Sequence, residues 1–241
     1  MLVYAHRGAS GEFPENTLSA YEQAIIQGAD GIELDAQYHK EGHWWILHDL
    51  YVDKTTNGQG RLLTLPQKNI ETLYTEDDLP ILRLEEALSF IDNRCPINIE
   101  IKVSSGDEKR LHVMAQNLNE LLNDLVIQKT IRWQEISISS FNHLFLVAVA
   151  DQIPEASIGM LIGHCPADLA QTAQTLGAKT INPCIDCLNK QLVDDAHQRG
   201  IAVWVYTVDR FEDIDFCCDI GVDAIFTNFP DRTKKHLISK G

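Results

Sequence analysis

Segments with the pattern of β-strands alternate with segments of helical apolar spacing along almost the whole 241-residue chain. Strands that alternate with helices pair in parallel, because each helix carries the chain back across the sheet. The sequence therefore predicts an α/β fold built from βαβ units. The nine predicted strands are Val3–His6, Gly31–Gln37, Trp44–Asp49, Ile97–Val103, Ile136–Ser139, Ser157–Ile162, Thr180–Asn182, Ile201–Val205 and Asp223–Thr227.

The third predicted strand differs from the others because a very short connection, which contains Gly42, separates it from the second. A parallel crossover needs about a dozen residues or more, so this connection predicts a hairpin turn. Folding about residues 40–41 would bring His48 opposite Glu33. The remaining eight strands are the number that closes a (β/α)8 TIM barrel. An open doubly wound sheet is the alternative, but the sequence lacks the glycine-rich phosphate fingerprint after its first strand.

Residues 50–82 have no clean helical or strand period. Residues 57–60, Asn-Gly-Gln-Gly, are typical of turns, and residues 75–80 are acidic and irregular. Long connections in compact domains are usually functional. We interpret 50–82 as a small segment inserted beside a site, directly after the hairpin. Because no repeat, low-complexity tract or linker marks a second domain, we expect a single TIM-barrel domain over residues 1–241.

Charged residues alternate with apolar residues in the second and fourth predicted strands. In a barrel, helices cover the outer face of each strand, so the apolar residues form the outer set. The outer residues are then Ile32, Leu34, Ile97, Ile99 and Ile101. The charged residues point into the barrel, where an unpaired charge is very costly. These inward residues are Glu33, Asp35, Glu100 and Lys102.

An interior with three carboxylates needs compensating positive charge. Salt bridges to Arg7 and Lys102 are one solution, but they leave one negative charge over. A divalent ion is the more economical solution, and ligands that are all oxygen favour Mg²⁺ or Ca²⁺. We therefore expect one divalent cation at the inward carboxylates Glu33, Asp35 and Glu100.

Two histidines add acid–base chemistry to this interior. His6 ends the first strand in the sequence His-Arg-Gly, and His48 returns through the hairpin. A divalent ion with Arg7 and Lys102 would give the site one net positive charge, which suits a singly charged phosphodiester. One histidine can take a proton while the other protonates the leaving alkoxide. The sequence therefore favours phosphodiester cleavage.

The formal net charge of −15 argues against a nucleic-acid partner, because phosphate backbones recruit Lys and Arg. No signal-peptide pattern precedes the first strand, which follows directly on Met1. No segment approaches the ~20 apolar residues of a membrane span. We expect a cytoplasmic protein without stable membrane insertion that acts on a small molecule, and the sequence leaves its oligomeric state open.

Short motifs cover the chain from near residue 3 to near residue 230. They are His6-Arg7-Gly8, Pro14-Glu15-Asn16-Thr17, Glu33-x-Asp35, His48-Asp49, Glu100-x-Lys102, Ser140-Phe141, Tyr206-Thr207-Val208-Asp209 and Asp223-x-x-x-Thr227-Asn228-x-Pro230. Each motif is weak alone, but their joint order resembles the glycerophosphodiester phosphodiesterase family in its bacterial cytoplasmic form.

The resemblance implies a metal-dependent hydrolase that converts glycerophosphodiesters to sn-glycerol 3-phosphate and an alcohol. The residues it implies are His6 and His48 as the acid–base pair, Glu33, Asp35 and Glu100 as metal ligands, and Arg7 and Lys102 as phosphate-binding residues. The family insertion would fall in residues 50–82. Glu15 and Asn16 are expected to order the loop after Gly8, with Asn16 capping the first helix.

Two aromatic residues, and two positions at which the chain differs from the family pattern, bear on how the substrate binds. Trp204 and Tyr206 share one face near the end of the eighth predicted strand, and we interpret them as a wall for the glycerol or alcohol group. A core aromatic is the alternative for Trp204. The family usually has Asn where this chain has Asp209 and Asp where it has Asn228, which puts the fit of the substrate in question.

Two other functions stay open. A lysophospholipase D-like phosphodiesterase acting on lysophospholipids would need a long apolar rim, for which Leu62, Leu63 and Leu65 are weak candidates. A catalytically silent barrel that only binds phosphodiesters or a protein would predict the loss of a histidine or carboxylate from the motifs, and none is lost.

Overall fold

A parallel β-barrel forms the centre of the computed structural model, which describes residues 1–75 and 78–240 of the chain. In these residues the strands are β1 Leu2–His6, β2 Gly31–Tyr38, β3 Trp44–Ile46, β4 Ile97–Lys102, β5 Ile136–Ser140, β6 Ser157–Ile162, β7 Thr180–Pro183, β8 Ala202–Val205 and β9 Ala224–Thr227. All strands except β3 pair in parallel, and β1 closes the barrel by pairing with both β9 and β2. The predicted TIM barrel is confirmed.

Helices surround the barrel and connect its strands. They are α1 Leu18–Ile26, α2 Gln67–Ile70, α3 Leu84–Ile91, α4 Leu111–Ile127, α5 His143–Gln152, α6 Gln171–Thr175, α7 Lys190–Gln198, α8 Phe211–Ile220 and α9 Pro230–Lys240. Apart from β3 and α2, helices and strands alternate along the described chain, which is the βαβ order that the sequence predicts.

Strand β3 forms the predicted antiparallel hairpin with β2, but the predicted register is wrong by one residue. Tyr38 pairs with Trp44, so the hairpin folds about residue 41. The reason is the odd number of residues in the turn, which is closed by a hydrogen bond from the His39 N–H to the His43 carbonyl. His48 therefore follows the end of the strand and is not directly opposite Glu33.

In β2 and β4, the apolar and the polar side chains lie on opposite faces of the strand, as predicted. The alternate isoleucines and leucines of β2 and β4 pack with the helices in the main hydrophobic core and are at most 2% exposed. The polar side chains of the same strands therefore point into the barrel. This alternation brings carboxylates into the interior.

Helix α1 begins one residue later than Asn16 would allow as its cap, so that prediction is wrong. Thr17 is the N-cap, and its side-chain oxygen accepts a hydrogen bond from the Ala20 N–H at 3.3 Å. Asn16 has a positive φ of 59°, and its amide is bonded to the interior of the barrel instead. The Asn16 side chain cannot both cap helix α1 and form hydrogen bonds inside the barrel, and it forms the buried hydrogen bonds.

The chain between β3 and α3 packs around a small core of its own. This core consists of Trp45, Leu47, Val52, Leu62, Ile70, Leu73 and Ile81, with Leu65 against it. The predicted insertion at 50–82 falls within this connection, although residues 76 and 77 lie outside the described residues. Within the part of the chain that the structure describes, no helix combines the length and the apolar character needed to cross a membrane.

Substitution Ile99→Ala tests the layer between β4 and the helices. Ile99 is fully buried, so the cavity should lower the free energy of unfolding by roughly 2–5 kcal/mol. Ile127→Ala is the matched control, since Ile127 is 78% exposed and should change stability by less than about 0.5 kcal/mol. Denaturant unfolding measures both, and equal losses would contradict the assigned faces.

Candidate active site

Three carboxylates meet inside the barrel. Glu33 and Asp35 come from β2 and Glu100 from β4, and Asp35 lies beside Glu100 because the two are register partners. Each side chain offers one oxygen, and these oxygens lie within 4.8 Å of one another. The three residues are 3%, 0% and 7% exposed, so solvent contributes little to screening their charges.

Two cations contact this cluster, and both reach Asp35. The Arg7 Nε lies 3.1 Å from Asp35 Oδ2, and the Lys102 Nζ lies 2.9 Å from Asp35 Oδ1. Lys102 also pairs with Glu100. The Arg7 Nη1 donates to both carboxylate oxygens of Glu15 at 3.0 Å. Arg7 is therefore held from two sides and presents a fixed positive charge.

Both cations, Arg7 and Lys102, pair with Asp35. Less compensating positive charge is therefore left for Glu33 and Glu100. Burial alone would raise the pKa of Asp35, but Lys102 and Arg7 outweigh it and hold that pKa below its usual range. Burial and then the charge of Asp35 raise the pKa of Glu33 well above normal and that of Glu100 to about 7. Among the described residues, Glu33 Oε1 is buried without a hydrogen-bond partner.

These observations fit a hard divalent cation. The donor set is three carboxylates, which is the chemistry that Mg²⁺ and Ca²⁺ prefer. A cation among these oxygens would stabilise the charged forms of Glu33 and Glu100 and would give the orphaned Glu33 oxygen a partner.

The backbone after β1 is shaped to reach the cluster. Arg7 has a positive φ of 58°, and its N–H donates to Glu33 Oε2 at 2.8 Å. Gly8 has a φ of 80°, and a Cβ there would lie 2.6 Å from the Ala20 carbonyl carbon. Only glycine fits at position 8. The turn that it allows after His6 places the Arg7 N–H against Glu33.

Asn16 supports Asp35 from the adjacent loop. Its Nδ2 donates to Asp35 Oδ2 at 2.9 Å, and its Oδ1 accepts from the Asp35 N–H at 3.3 Å and from the Tyr21 hydroxyl at 3.1 Å. This buried amide therefore orients the carboxylate at the centre of the site.

His6 is held on one ring nitrogen. Its Nδ1 lies 2.8 Å from Asn228 Oδ1, and Asn228 is itself bonded to Asp209. The two positions at which the chain departs from the family pattern therefore contact each other, and one of them, Asn228, contacts the first histidine. Burial and then the Arg7 guanidinium lower the pKa of His6 to about 4.

His48 has a different support. Its Nδ1 lies 2.9 Å from Asp49 Oδ1, and the other Asp49 oxygen pairs with Lys54 at 3.1 Å. Gln37 donates to the carbonyl oxygens of Leu47 and Asp49 at 2.8 and 2.7 Å, on either side of His48. Burial lowers the pKa of His48, whereas the charge of Asp35 opposes this shift.

The structure thus brings together seven of the sequence-predicted residues, Asp35 and six others around it. The charges of both histidines act on Asp35, as do those of Arg7 and Lys102. The seven are His6, Arg7, Glu33, Asp35, His48, Glu100 and Lys102.

The two predicted aromatic residues occupy different places. Trp204 packs in the barrel with Tyr4 at 4.7 Å and Phe226 at 5.9 Å between ring centroids. Tyr206 lies just after β8, where its ring meets Phe141 edge-on at 5.7 Å and its hydroxyl donates to the Ile162 carbonyl. Tyr206 therefore stands at the end of the barrel strands, whereas Trp204 has the packing of a core aromatic.

Sequence reasoning gave no role to several supporting residues. Gln37 lies on the same inward face of β2 as Glu33 and Asp35. The two-residue spacing of these residues is the sequence feature that could have indicated its role. The contact of His6 with Asn228 joins residues 222 positions apart. No local pattern indicates such a contact.

Comparison with known proteins decides the family. A model of the glycerophosphoryl diester phosphodiesterase family matches residues 6–232. The chain belongs to this family. The predicted family and the predicted class of enzyme, a phosphoric diester hydrolase, are confirmed.

Individual relatives agree with this membership over nearly all of their lengths. A glycerophosphodiester phosphodiesterase of Caldanaerobacter subterraneus subsp. tengcongensis is 34% identical, with all of this chain and 98% of the relative covered. One from Bacillus altitudinis is 31% identical over 97% of this chain and 96% of the relative. The structure of an Oleispira antarctica phosphodiesterase in complex with the product sn-glycerol-3-phosphate has a TM-score of 0.87 and 25% identity, covering 99% of this chain and 97% of that one.

Substitution Asn16→Ala tests the support of Asp35. It leaves a buried carboxylate oxygen and the Tyr21 hydroxyl without their amide partner, so the free energy of unfolding should fall by roughly 1–3 kcal/mol. The control is Asn119→Ala, which removes a partly exposed amide bonded to the Gln152 carbonyl and should cost less, about 1 kcal/mol or below. Chemical denaturation distinguishes them, and an Asn16 variant no less stable than the control would refute the role.

Proposed function

We propose that this chain hydrolyses glycerophosphodiesters to sn-glycerol 3-phosphate and an alcohol, with a bound divalent cation and with His6 and His48 as the acid–base pair. The observation that carries the proposal is the arrangement around Asp35. Three buried carboxylates, two fixed cations and two histidines meet there. A core stabilised only by salt bridges has no need of two histidines beside it.

The charges suit a phosphodiester. Glu33, Asp35 and Glu100 carry three negative charges when ionised, and Arg7 and Lys102 carry two positive charges. A divalent ion adds two more, so the site gains one net positive charge. An anionic substrate can then bind although the whole chain has a net charge of −15. Arg7 and Lys102 are the residues we assign to the phosphate oxygens.

The metal and the two histidines have different roles in the proposed reaction: the metal stabilises charge, and the histidines transfer protons. When bound by Glu33, Asp35 and Glu100, Mg²⁺ or Ca²⁺ would polarise the phosphoryl oxygen and stabilise charge that develops on it. One histidine removes the proton of the attacking oxygen, and the other protonates the leaving alkoxide. His48 and His6 each have Nδ1 occupied by a neighbour, so each has Nε2 available for proton transfer.

A cleft near the site has room for a small substrate, although its lining among the described residues includes none of the seven site residues. Its volume is about 430 Å³, within the roughly 300–1,000 Å³ of small-molecule sites. Its lining includes Ser10, Glu15 and Lys54. These residues contact His6, Arg7 and Asp49, respectively, so the cleft borders the site. The glycerol 3-phosphate bound to the Oleispira antarctica relative supports the substrate class.

Two further assignments belong to the same proposal. We assign Tyr206 to the wall for the glycerol or alcohol group, because it lies at the end of the strands; Trp204 would contribute to that wall only from within the barrel. We also propose that the chain acts as one domain over 1–241, with 50–82 as an insertion that carries Lys54 to the cleft.

Two other functions are less well supported. Leu62 is buried in the small core of the connection, which leaves little of the apolar rim that a lysophospholipid chain would need. A silent binding barrel would have no use for two histidines with oriented rings. Lysophospholipids nevertheless belong in a substrate panel, since they share the phosphodiester.

Variants His6→Ala and His48→Ala test the proposal. With Mg²⁺ or Ca²⁺ present and glycerophosphocholine or glycerophosphoethanolamine as substrate, the wild type should release glycerol 3-phosphate. Each variant should lower kcat by roughly 10²–10⁴-fold, as expected for a general acid or base. The exposed His112, changed to Ala, serves as the control and should retain wild-type turnover.

Near-normal turnover by the His48 variant would remove that residue from the mechanism. A wild type that cleaves lysophospholipids and not glycerophosphodiesters would favour the second function. A folded wild type that binds but cleaves none of these substrates would favour the silent barrel.

A further inference from the structure

We propose that Asp209 and Asn228 form a positioning pair that holds His6 in its Nδ1-protonated tautomer, so that the free Nε2 serves as the general base. The role of His6 as the general base rests on the proposed function, whereas its tautomer can be measured without any activity. It also assigns His48 to the acid role.

Asp209 is fixed first. Its Oδ1 accepts hydrogen bonds from the Asn228 backbone N–H at 2.8 Å and from the Thr227 hydroxyl at 2.9 Å. Its Oδ2 accepts from Asn228 Nδ2 at 2.7 Å. These bonds join the loop after β8 to the end of β9, so the carboxylate has a single orientation.

The carboxylate in turn fixes the amide of Asn228. An ionised carboxylate only accepts hydrogen bonds, so the Asn228 amide must turn its NH₂ group toward Asp209. Its oxygen then has to face His6. The Ser10 hydroxyl lies 2.8 Å from this oxygen and 2.6 Å from the His6 carbonyl oxygen. Its single proton can serve only one of these two acceptors, so the orientation of the amide rests on Asp209.

The amide oxygen determines the tautomer of His6. An amide oxygen cannot donate, so the hydrogen bond of 2.8 Å requires a proton on His6 Nδ1. In a neutral ring the lone pair then lies on Nε2, at the far side from Asn228. A base must have such a lone pair aimed at the proton it removes.

The supports of the two histidines are unequal in charge. The neutral Asn228 amide at His6 Nδ1 adds no charge beside that ring. His48 has the carboxylate of Asp49 at its Nδ1, and this negative charge opposes the lowering of the His48 pKa by burial. The unprotonated ring suits the base and the protonated ring suits the acid. The supports therefore separate the two roles.

The first test is the ring tautomer of His6 in the wild type. Two-bond ¹⁵N–¹H spectra, with His6→Gln to assign the signal, should show Nδ1 protonated and Nε2 unprotonated at neutral pH. A ring protonated on Nε2 alone would overturn the proposal. This readout does not depend on catalysis, so it distinguishes failure of the pair from failure of the proposed function.

The second test is Asp209→Asn, which removes the acceptor that orients the Asn228 amide. The amide can then turn its NH₂ group to His6 and shift the ring proton to Nε2. Loss of such supporting contacts typically costs roughly 10–100-fold, and we expect that loss in kcat with little change in KM. Wild-type kcat and an unchanged tautomer would refute the pair.

The exchanged variant Asp209→Asn/Asn228→Asp restores a bond between amide and carboxylate but places the charge beside His6. The other charged groups that act on His6 are Arg7, Asp35 and Lys102, and they are unchanged. The new carboxylate should raise the pKa of His6. Because the base must be unprotonated, the low-pH limb of kcat/KM should move to higher pH, with kcat partly restored relative to Asp209→Asn.

Asp223→Asn is the matched control. Asp223 also bonds a backbone N–H, that of Val203, and a side chain, that of His197, but it precedes β9 at the opposite end of the strand. This variant should leave the pH profile and the His6 tautomer unchanged. If it altered both as Asp209→Asn does, the effects would be structural and the proposal would be wrong.

Discussion

The pairing of buried Asp35 with Arg7 and Lys102 is the interaction on which the rest of the site depends. Asp35 is fully buried, so its charge would be very costly without these partners. Each cation reaches one of its two oxygens. This arrangement keeps Asp35 ionised and fixes both cations, which leaves Glu33 and Glu100 beside it with insufficient positive charge.

The barrel is what makes this concentration of charge possible. Parallel register sets Asp35 beside Glu100, and the hairpin of β2 with β3 returns the chain to His48. The hydrophobic outer face of the same strands stabilises the fold and balances the cost of a polar interior. In β2 and β4, stability therefore comes from the outer face and the site carboxylates come from the inner face.

The alternation in β2 and β4 was enough to predict which carboxylates enter the barrel, because a two-residue period leaves no freedom once the outer face is apolar. The hairpin register could not be fixed, since one residue more in the turn shifts every pair. Asn16 was predicted as a helix cap because its local sequence suits one. Its contacts with Asp35, like those joining Asp209 and Asn228 to His6, depend on closure of the barrel and have no local signature.

The measurement that tests the account most directly is release of glycerol 3-phosphate from glycerophosphocholine by the purified protein before and after chelation with EDTA. We propose that phosphodiester hydrolysis needs a divalent cation at the carboxylate cluster. Chelation should therefore abolish release, and adding back Mg²⁺ or Ca²⁺ should restore it. Undiminished release in EDTA would contradict the account.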